Sequence, residues 1–542
     1  MYSGVEISLS ITSHNSAEGC YRRIAVSSTS LVLCGILLLA LLLRLAYYVG
    51  LGFADDLIYA EIVNRIINHS STVLKSVFHA RTFFIYAMSF FAYVFGYGEF
   101  SLTLFQLVCS LGGIILIYRL GSLLINKDTG LVGAFLLSFY PLDVIYTTQV
   151  MPDIPLAFFL GLNAYWFLKG EIEGRQHHYW YAGVSLGLAY LIKAIALVQL
   201  LPLVIFMAGY SVLQRRIKIA HLLCILSVVM VVLLEMFYFK LSTGNFFEHF
   251  RLLSETYTKT VYQGDRLRDV LDYYPKLVLL LHYSHFKYLY GFFFYVGGIM
   301  VLYVLCRLIA TVVKKPDGYA FSEKPAGTSK DTEQSSRNIK RGISILVVWL
   351  VFWFLYLQCG SMSLKNYVIM EKHERFLSLI NFPFLLLLAF FLTSYRSRIK
   401  KVFNVVCVAF LFLTSFYFNE ISSQFHSVEI QDIREIKRCL KEKSFDRVYA
   451  DRDTNYKLDF MFNFEGRKYL TDLNRVSSIE RIESNSYVIT EGKGFIDLSP
   501  SLKRALSDEV SLWKRGWRLD AVVDDHTLER YKLNKPKIYY VP

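Results

Sequence analysis

Long apolar runs separated by short polar breaks dominate most of this chain. A helix that crosses a bilayer needs about 20 mostly apolar residues. Residues 24–49 qualify, with no charged residue from Leu31 to Leu43. Comparable runs occupy 221–239, 292–310, 343–357, 376–392 and 402–418, and shorter ones occupy 102–118, 131–146 and 154–168. Residues 179–213 are too long for one helix and read as two that turn near Lys193. The sum is about 11 spans by the length and charge rules. Residues 56–68 have a different period. Ile58, Ile62, Val63, Ile66 and Ile67 share one side, and Asp56, Glu61, Asn64, Arg65 and Asn68 lie elsewhere. That is the pattern of a helix lying in the membrane interface. Residues 81–97 are apolar and aromatic but at the lower limit of spanning length. They are read as not crossing, because Arg119 and Lys127 then flank a cytoplasmic turn.

Two segments break the pattern. Residues 316–338 are polar and rich in Ser, Lys, Thr and Glu, as in a flexible cytoplasmic loop. From Asn419 onward the long apolar runs stop. Helical periodicity over 430–441 is followed by β-like runs at 447–450, 487–490, 519–523 and 538–541. The fold class predicted is a polytopic α-helical membrane domain over residues 1–418, followed by a small soluble α/β domain over 419–542.

Composition agrees. Of 542 residues, 54% are hydrophobic, above the roughly 45–50% of soluble domains. The net charge of +14 does not indicate nucleic acid. Its basic residues sit in short clusters beside apolar runs: Arg215, Arg216 and Lys218; Lys314 and Lys315; Lys340 and Arg341; Arg396, Arg398, Lys400 and Lys401. Cytoplasmic loops carry such clusters. The chain is therefore expected in the plasma or inner membrane, with a cytoplasmic N-terminus, a retained first span and an extracytoplasmic C-terminal domain. Most of the eight cysteines fall in apolar segments, and Cys359 and Cys439 are the two that could meet on the outer side.

Charges at a membrane are functional candidates because keeping them there is costly. Asp55-Asp56 follows the first span on the predicted outer side. A carboxylate pair there can act as a general base or hold a divalent cation, or it can simply cap the following helix. Asp153 opens the run 154–168 on the same face, within Met151-Pro152-Asp153-Ile154-Pro155. Lys193, at the turn of the 179–213 hairpin, could bind a lipid phosphate or snorkel to the interface. Arg375 precedes another apolar run on the outer side, and Arg81 and Arg44 are weaker members of the same set. The chain has no Walker A sequence, no GxGxxG after a strand, no HExxH and no Cys/His cluster.

These motifs resemble the GT-C class of membrane glycosyltransferases, in particular the branch of protein O-mannosyltransferases and lipid A aminoarabinose transferases. Asp55-Asp56-Leu57-Ile58-Tyr59-Ala60-Glu61 is similar to that branch's acidic pair followed by Tyr-Ala-Glu. Residues 136–159, with Pro141 and the Asp153 motif, resemble its second outer loop. Gly187-Leu188-Ala189-Tyr190-Leu191-Ile192-Lys193 resembles its Gly-Leu…Thr-Lys hairpin. The likeness is close over roughly the first 215 residues and architectural beyond. It implies a lipid-linked sugar donor (polyprenyl or dolichyl phosphate), a glycan, lipid or protein acceptor, and inversion at the anomeric carbon. It also implies that Asp55 is the base, that Asp153 is a second acidic site residue, and that Lys193 and Arg375 face the donor phosphate; Asp56 beside the base and Arg81 as a further phosphate ligand are expected from their charge and position. One stretch departs from the aminoarabinose transferases: His79-Ala80-Arg81-Thr82-Phe83 stands where they carry Glu-Lys-Pro. A transporter or flippase of lipid-linked sugars is the alternative, but it should show repeats and charges at mid-bilayer. A non-catalytic scaffold leaves Asp55 and Asp153 without a role.

Overall fold

Where apolar side chains run for five turns without interruption, helix is the only backbone that satisfies its own polar groups in lipid. The computed structural model follows that rule. It describes residues 28–542 apart from 53–54, 70–75, 217, 260–266, 300–305, 307–329, 362–368, 371, 395–397, 442, 463, 465–468, 491–499 and 523–535. Among the described residues, seven helices are long and apolar enough to cross a membrane: Ser28–Ala46, Glu99–Leu124, Ala194–Val212, Ile219–Thr243, Ile339–Cys359, Glu374–Thr393 and Lys401–Ser427. Glu374–Thr393 is the central one, with 83% of its apolar window buried in protein, against 22% for Ser28–Ala46. The chain is an integral membrane protein.

The expected count of 11 is not confirmed. The run 131–146 is split at Pro141 into helices Lys127–Phe139 and Pro141–Tyr146, each too short to span. Proline has no N–H to continue the ladder. Helix Asp153–Glu173 has the length but carries Asp153, Lys169, Glu171 and Glu173 at its ends, and Gln176–Ile192 is slightly short. Most of 300–310 lies outside the described residues, as do 1–27 and 316–329. The polar segment 316–338 is not loop throughout, because helix Lys330–Cys359 begins inside it. The expected turn near Lys193 is present. Helix Gln176–Ile192 stops there, and a 3-10 turn, Ala194–Gln199, leads into helix Leu200–Gln214. Trp353 Nε1 donates to Gln199 Oε1 at 2.7 Å and pins that turn to helix Lys330–Cys359.

Helix Arg398–Lys441 passes unbroken through Asn419, so the sheet unit begins only after Lys441. Its spanning half is apolar, and its far half continues as an amphipathic helix that buries Ile430, Ile433, Ile436 and Leu440. Among the described residues five strands follow: β1 (Arg447–Ala450), β2 (Leu470–Asp472), β3 (Ser486–Thr490), β4 (Arg518–Val522) and β5 (Lys537–Val541). Their order is β2-β1-β3-β5-β4. β1 pairs in parallel with β2 and β3, and β5 is antiparallel to β3 and β4. Alternation sorts the faces. Val448, Ala450, Tyr487, Ile489 and Ile538 join the core of the helical bundle, whereas Tyr449, Val488, Tyr539 and Val541 pack under helix Pro500–Ser507. Cys359 and Cys439 are both free thiols, so the pairing considered for them is not formed.

Candidate active site

Four charged side chains from four distant segments meet at one end of the bundle. Asp55 is the first residue of helix Asp55–Ile67. The chain reaches it through Gly50, whose φ of +87° is left-handed and where a Cβ would lie 2.6 Å from Glu99 Oε2. The left-handed backbone favours glycine there, and the Glu99 carboxylate would have to shift to admit a side chain. Asp56 is fully buried. Its carboxylate accepts from the Gly52 N–H and, at 3.1 Å, from the Leu57 N–H, fixing the turn that delivers Asp55.

Asp153 is the first residue of its helix, with Pro155 in the opening turn where a missing N–H costs nothing. The positive end of the helix dipole favours its negative charge. Lys193 is extended backbone between two helical segments, which releases its side chain from the helix surface. Arg375 lies in the 3-10 turn Glu374–Ile380 that leads into the central helix.

Lys193 Nζ is 2.9 Å from Asp153 Oδ1 and stands 4.0 Å above the Phe376 ring. Arg375 bridges the two carboxylates, with Nη2 3.1 Å from Asp55 Oδ2 and Nε 3.2 Å from Asp153 Oδ2. The second contact is an ion pair without hydrogen-bond alignment, since both atoms are buried and neither has a hydrogen-bond partner. The side chain of Asp153 is 2% exposed and that of Asp55 is 35%. Arg81 lies over Tyr59 and Phe78, at 5.4 and 5.3 Å from the ring centres, and is close enough to Asp153 and Lys193 to act electrostatically on both. Burial pulls the Lys193 ammonium down to about 8, and the Asp153 carboxylate opposes that shift.

Asp55, Asp153, Lys193 and Arg375 are thus joined by ion pairs, Arg81 is beside them, and Asp56 is turned into the backbone. Arg44 does not belong with them. It is wholly buried and pairs with Asp143, donates to Ser110 Oγ at 2.9 Å and caps the Ser138 carbonyl. The sequence reading also passed over Glu374, which is buried beside Arg375. Tyr146 O–H donates to its carboxylate, Tyr273 O–H does so at 3.4 Å, and Tyr290 O–H donates to its carbonyl at 2.6 Å. The available signal was an acidic residue adjoining an apolar run, the same signal that marked Arg375.

Lys193, Arg375 and Arg81 stand against the carboxylates of Asp55, Asp153 and Glu374, three cations with three anions. A divalent cation held between Asp55 and Asp153 would sit where Arg375 does. Among the described residues, no three His, Cys, Asp or Glu side chains are grouped to hold a metal ion.

Residues 81–237 match the model of the family described as dolichyl-phosphate-mannose-protein mannosyltransferase. The fold is similar to that of ArnT from Cupriavidus metallidurans solved with undecaprenyl phosphate, at 12% identity and a TM-score of 0.58. The match covers 95% of this chain and 98% of that one. The apo state of the same protein gives 11% identity and the same TM-score, again covering 95% of this chain and 98% of that one. The Archaeoglobus fulgidus oligosaccharyltransferase solved with Zn and sulfate is similar at 14% identity and a TM-score of 0.50, over 81% of this chain and 62% of that one. No curated protein matches the chain. At these identities the structural likeness speaks for the fold, and that fold is the GT-C architecture the sequence resemblance implied.

Proposed function

We propose that this chain, a membrane glycosyltransferase of the GT-C type, moves a sugar from a polyprenyl- or dolichyl-phosphate carrier to a hydroxyl of a lipid, glycan or protein acceptor at the outer membrane face. The observation that carries the reading is Arg375, a partly buried guanidinium held between an enclosed carboxylate and an accessible one. Asp153 is engaged by Lys193 on one oxygen and Arg375 on the other and is nearly excluded from solvent, so it serves to hold the cations. Among the described residues Asp55 pairs with Arg375 alone, and it keeps an accessible face, so it is the carboxylate an acceptor can reach.

The reaction follows from those positions. The acceptor oxygen attacks the anomeric carbon as its proton passes to Asp55. The bond from that carbon to the phosphate oxygen breaks on the opposite face, giving inversion. The carrier phosphate leaves as an anion, so no general acid is required. Arg375 and Lys193, with Arg81 behind them, stabilise the charge that develops, and the partly buried setting strengthens their effect. A donor phosphate competes with Asp55 for Arg375. Seating the donor therefore releases the base when it is needed and leaves it paired otherwise. Asp56 fixes the turn that aims Asp55. The N-terminus and Lys127 are placed in the cytoplasm and the C-terminal sheet unit outside, following the positive-inside rule.

Purified protein supplied with a radiolabelled polyprenyl-phosphate sugar tests the donor class. Transfer should occur from that donor and not from nucleotide sugars. Lys193→Ala should raise the donor KM at least tenfold with little change in melting temperature. Efficient transfer from a nucleotide sugar without added lipid contradicts the proposal.

A further inference from the structure

Helix Ile219–Thr243 contains one feature that the apolar run does not explain: Glu235, well inside the helix and only 4% exposed. A carboxylate in such a place is retained only where it has partners. Its Oε2 is 2.8 Å from Nδ1 of His249, itself buried, on helix Glu248–Lys259. Its Oε1 accepts from Thr82 Oγ1 at 3.4 Å. The hydroxyl of Tyr190 is 3.1 Å from His249 Nδ1, and the two rings stack at 5.0 Å with 14° between their planes. The couple therefore grips two other elements. Thr82 is the residue after Arg81 and opens helix Thr82–Phe95. Tyr190 lies in the last turn of helix Gln176–Ile192, three residues before Lys193. The gripped elements are the ones that bring Arg81 and Lys193 to Asp153.

We infer that Glu235 and His249 form a positioning unit that sets the spacing of Arg81 and Lys193 for the donor phosphate. The inference rests on the proposed role of those cations. Neither Glu235 nor His249 reaches the reacting atoms. They act by fixing two helix ends, and a small misplacement of a charge at a phosphate site is enough to weaken binding.

The test is steady-state kinetics on the full-length protein in lipid nanodiscs, with a polyprenyl-phosphate sugar as donor and the acceptor varied separately. His249→Ala and Glu235→Gln should each raise the donor KM about tenfold, with kcat and the acceptor KM changing less than about threefold, the split expected when ground-state binding is lost. His249→Asn, which restores an N–H near Nδ1, should recover most of the affinity. A purely structural role would lower melting temperature and impair all three parameters together. Should His249→Ala fail to fold, Tyr190→Phe keeps the stack and removes one hydrogen bond, and it should raise the donor KM roughly threefold. An elevated donor KM in Lys193→Ala with unchanged values in the Glu235, His249 and Tyr190 variants overturns this inference alone. An unchanged donor KM in Lys193→Ala overturns the site reading and this inference together.

Discussion

Asp153 lies between Lys193 and Arg375 with almost no solvent contact, whereas Asp55 meets Arg375 and remains one-third exposed. The proposed division of work between base and cation holder rests on that difference in surroundings. Asp56, although adjacent in sequence, is spent on the Gly52 and Leu57 backbone amides. Asp56→Asn exchanges one acceptor oxygen for a donor facing those N–H groups. It should lower stability by about 1–3 kcal/mol, read as a fall in melting temperature. Turnover per folded molecule should stay within about tenfold of wild type, short of the roughly 10²–10⁴ lost with a general base. Lys193 gives a pH signature. Burial brings its ammonium down to about 8, so it is charged below that pH and neutral above it. The donor phosphodiester keeps its charge throughout. Donor affinity should therefore weaken as pH rises through about 8, and Lys193→Arg, which stays charged, should hold its affinity to higher pH. Donor binding measured from pH 6.5 to 9.5 checks this, and a flat wild-type profile speaks against a phosphate contact by Lys193.

At the scale of elements, close helix packing places these charges. Helices Gln176–Ile192 and Ile219–Thr243 touch at Gly183 and Gly187, where a Cβ would lie 2.2 Å from the Cys224 carbonyl oxygen and 2.6 Å from Val231 Cβ. Gly183→Val must push the helices apart. It should cost about 1–3 kcal/mol, seen as a lower melting temperature in detergent, and it should weaken donor binding, because Lys193 ends one of these helices and Glu235 sits on the other. Much of this level was legible in sequence. Continuous apolar runs and β-branched or aromatic runs declared most of the helices and four of the five strands, and β2 was too short and mixed to register. Pro141 inside an apolar run was visible, but whether it kinks or ends a helix depends on what the freed carbonyls meet. Asp55, Asp153, Lys193 and Arg375 were each visible as charges beside apolar runs. Their convergence was not, because Asp55 and Arg375 stand 320 residues apart. The same signal misplaced Arg44, since sequence does not show that Asp143 and Ser110 await it. It also gave no hint that Glu235 and His249 face each other.

On the scale of the whole molecule, the sheet unit rests on the helix that Asp55 begins. Tyr456 O–H donates to Glu61 Oε2 at 3.1 Å and Phe460 packs on Tyr97 at 6.2 Å, while Arg434, on the helix that precedes the sheet, pairs with Glu99 at 2.5 Å beside Gly50. The sheet unit therefore packs on the helix that starts at the proposed base, and the helix before it reaches the chain at Gly50. It lies at the end of the bundle that holds the ion-pair cluster, which the charge rule assigns to the outer face. Cysteines introduced at Lys514 and Lys127 should respond oppositely to a membrane-impermeant thiol reagent added from outside, Lys514→Cys labelling and Lys127→Cys not. Labelling at Lys127 would reverse the assignment. The proposed mechanism depends on Asp55 being the base at a lipid-phosphate site. Its most direct test is single-turnover transfer from a polyprenyl-phosphate sugar by Asp55→Asn, with donor binding measured on the same preparation. The predicted result is transfer slowed by about 10²–10⁴-fold, with donor affinity unchanged or tighter because Arg375 loses a competing carboxylate. Near-normal transfer would contradict the account.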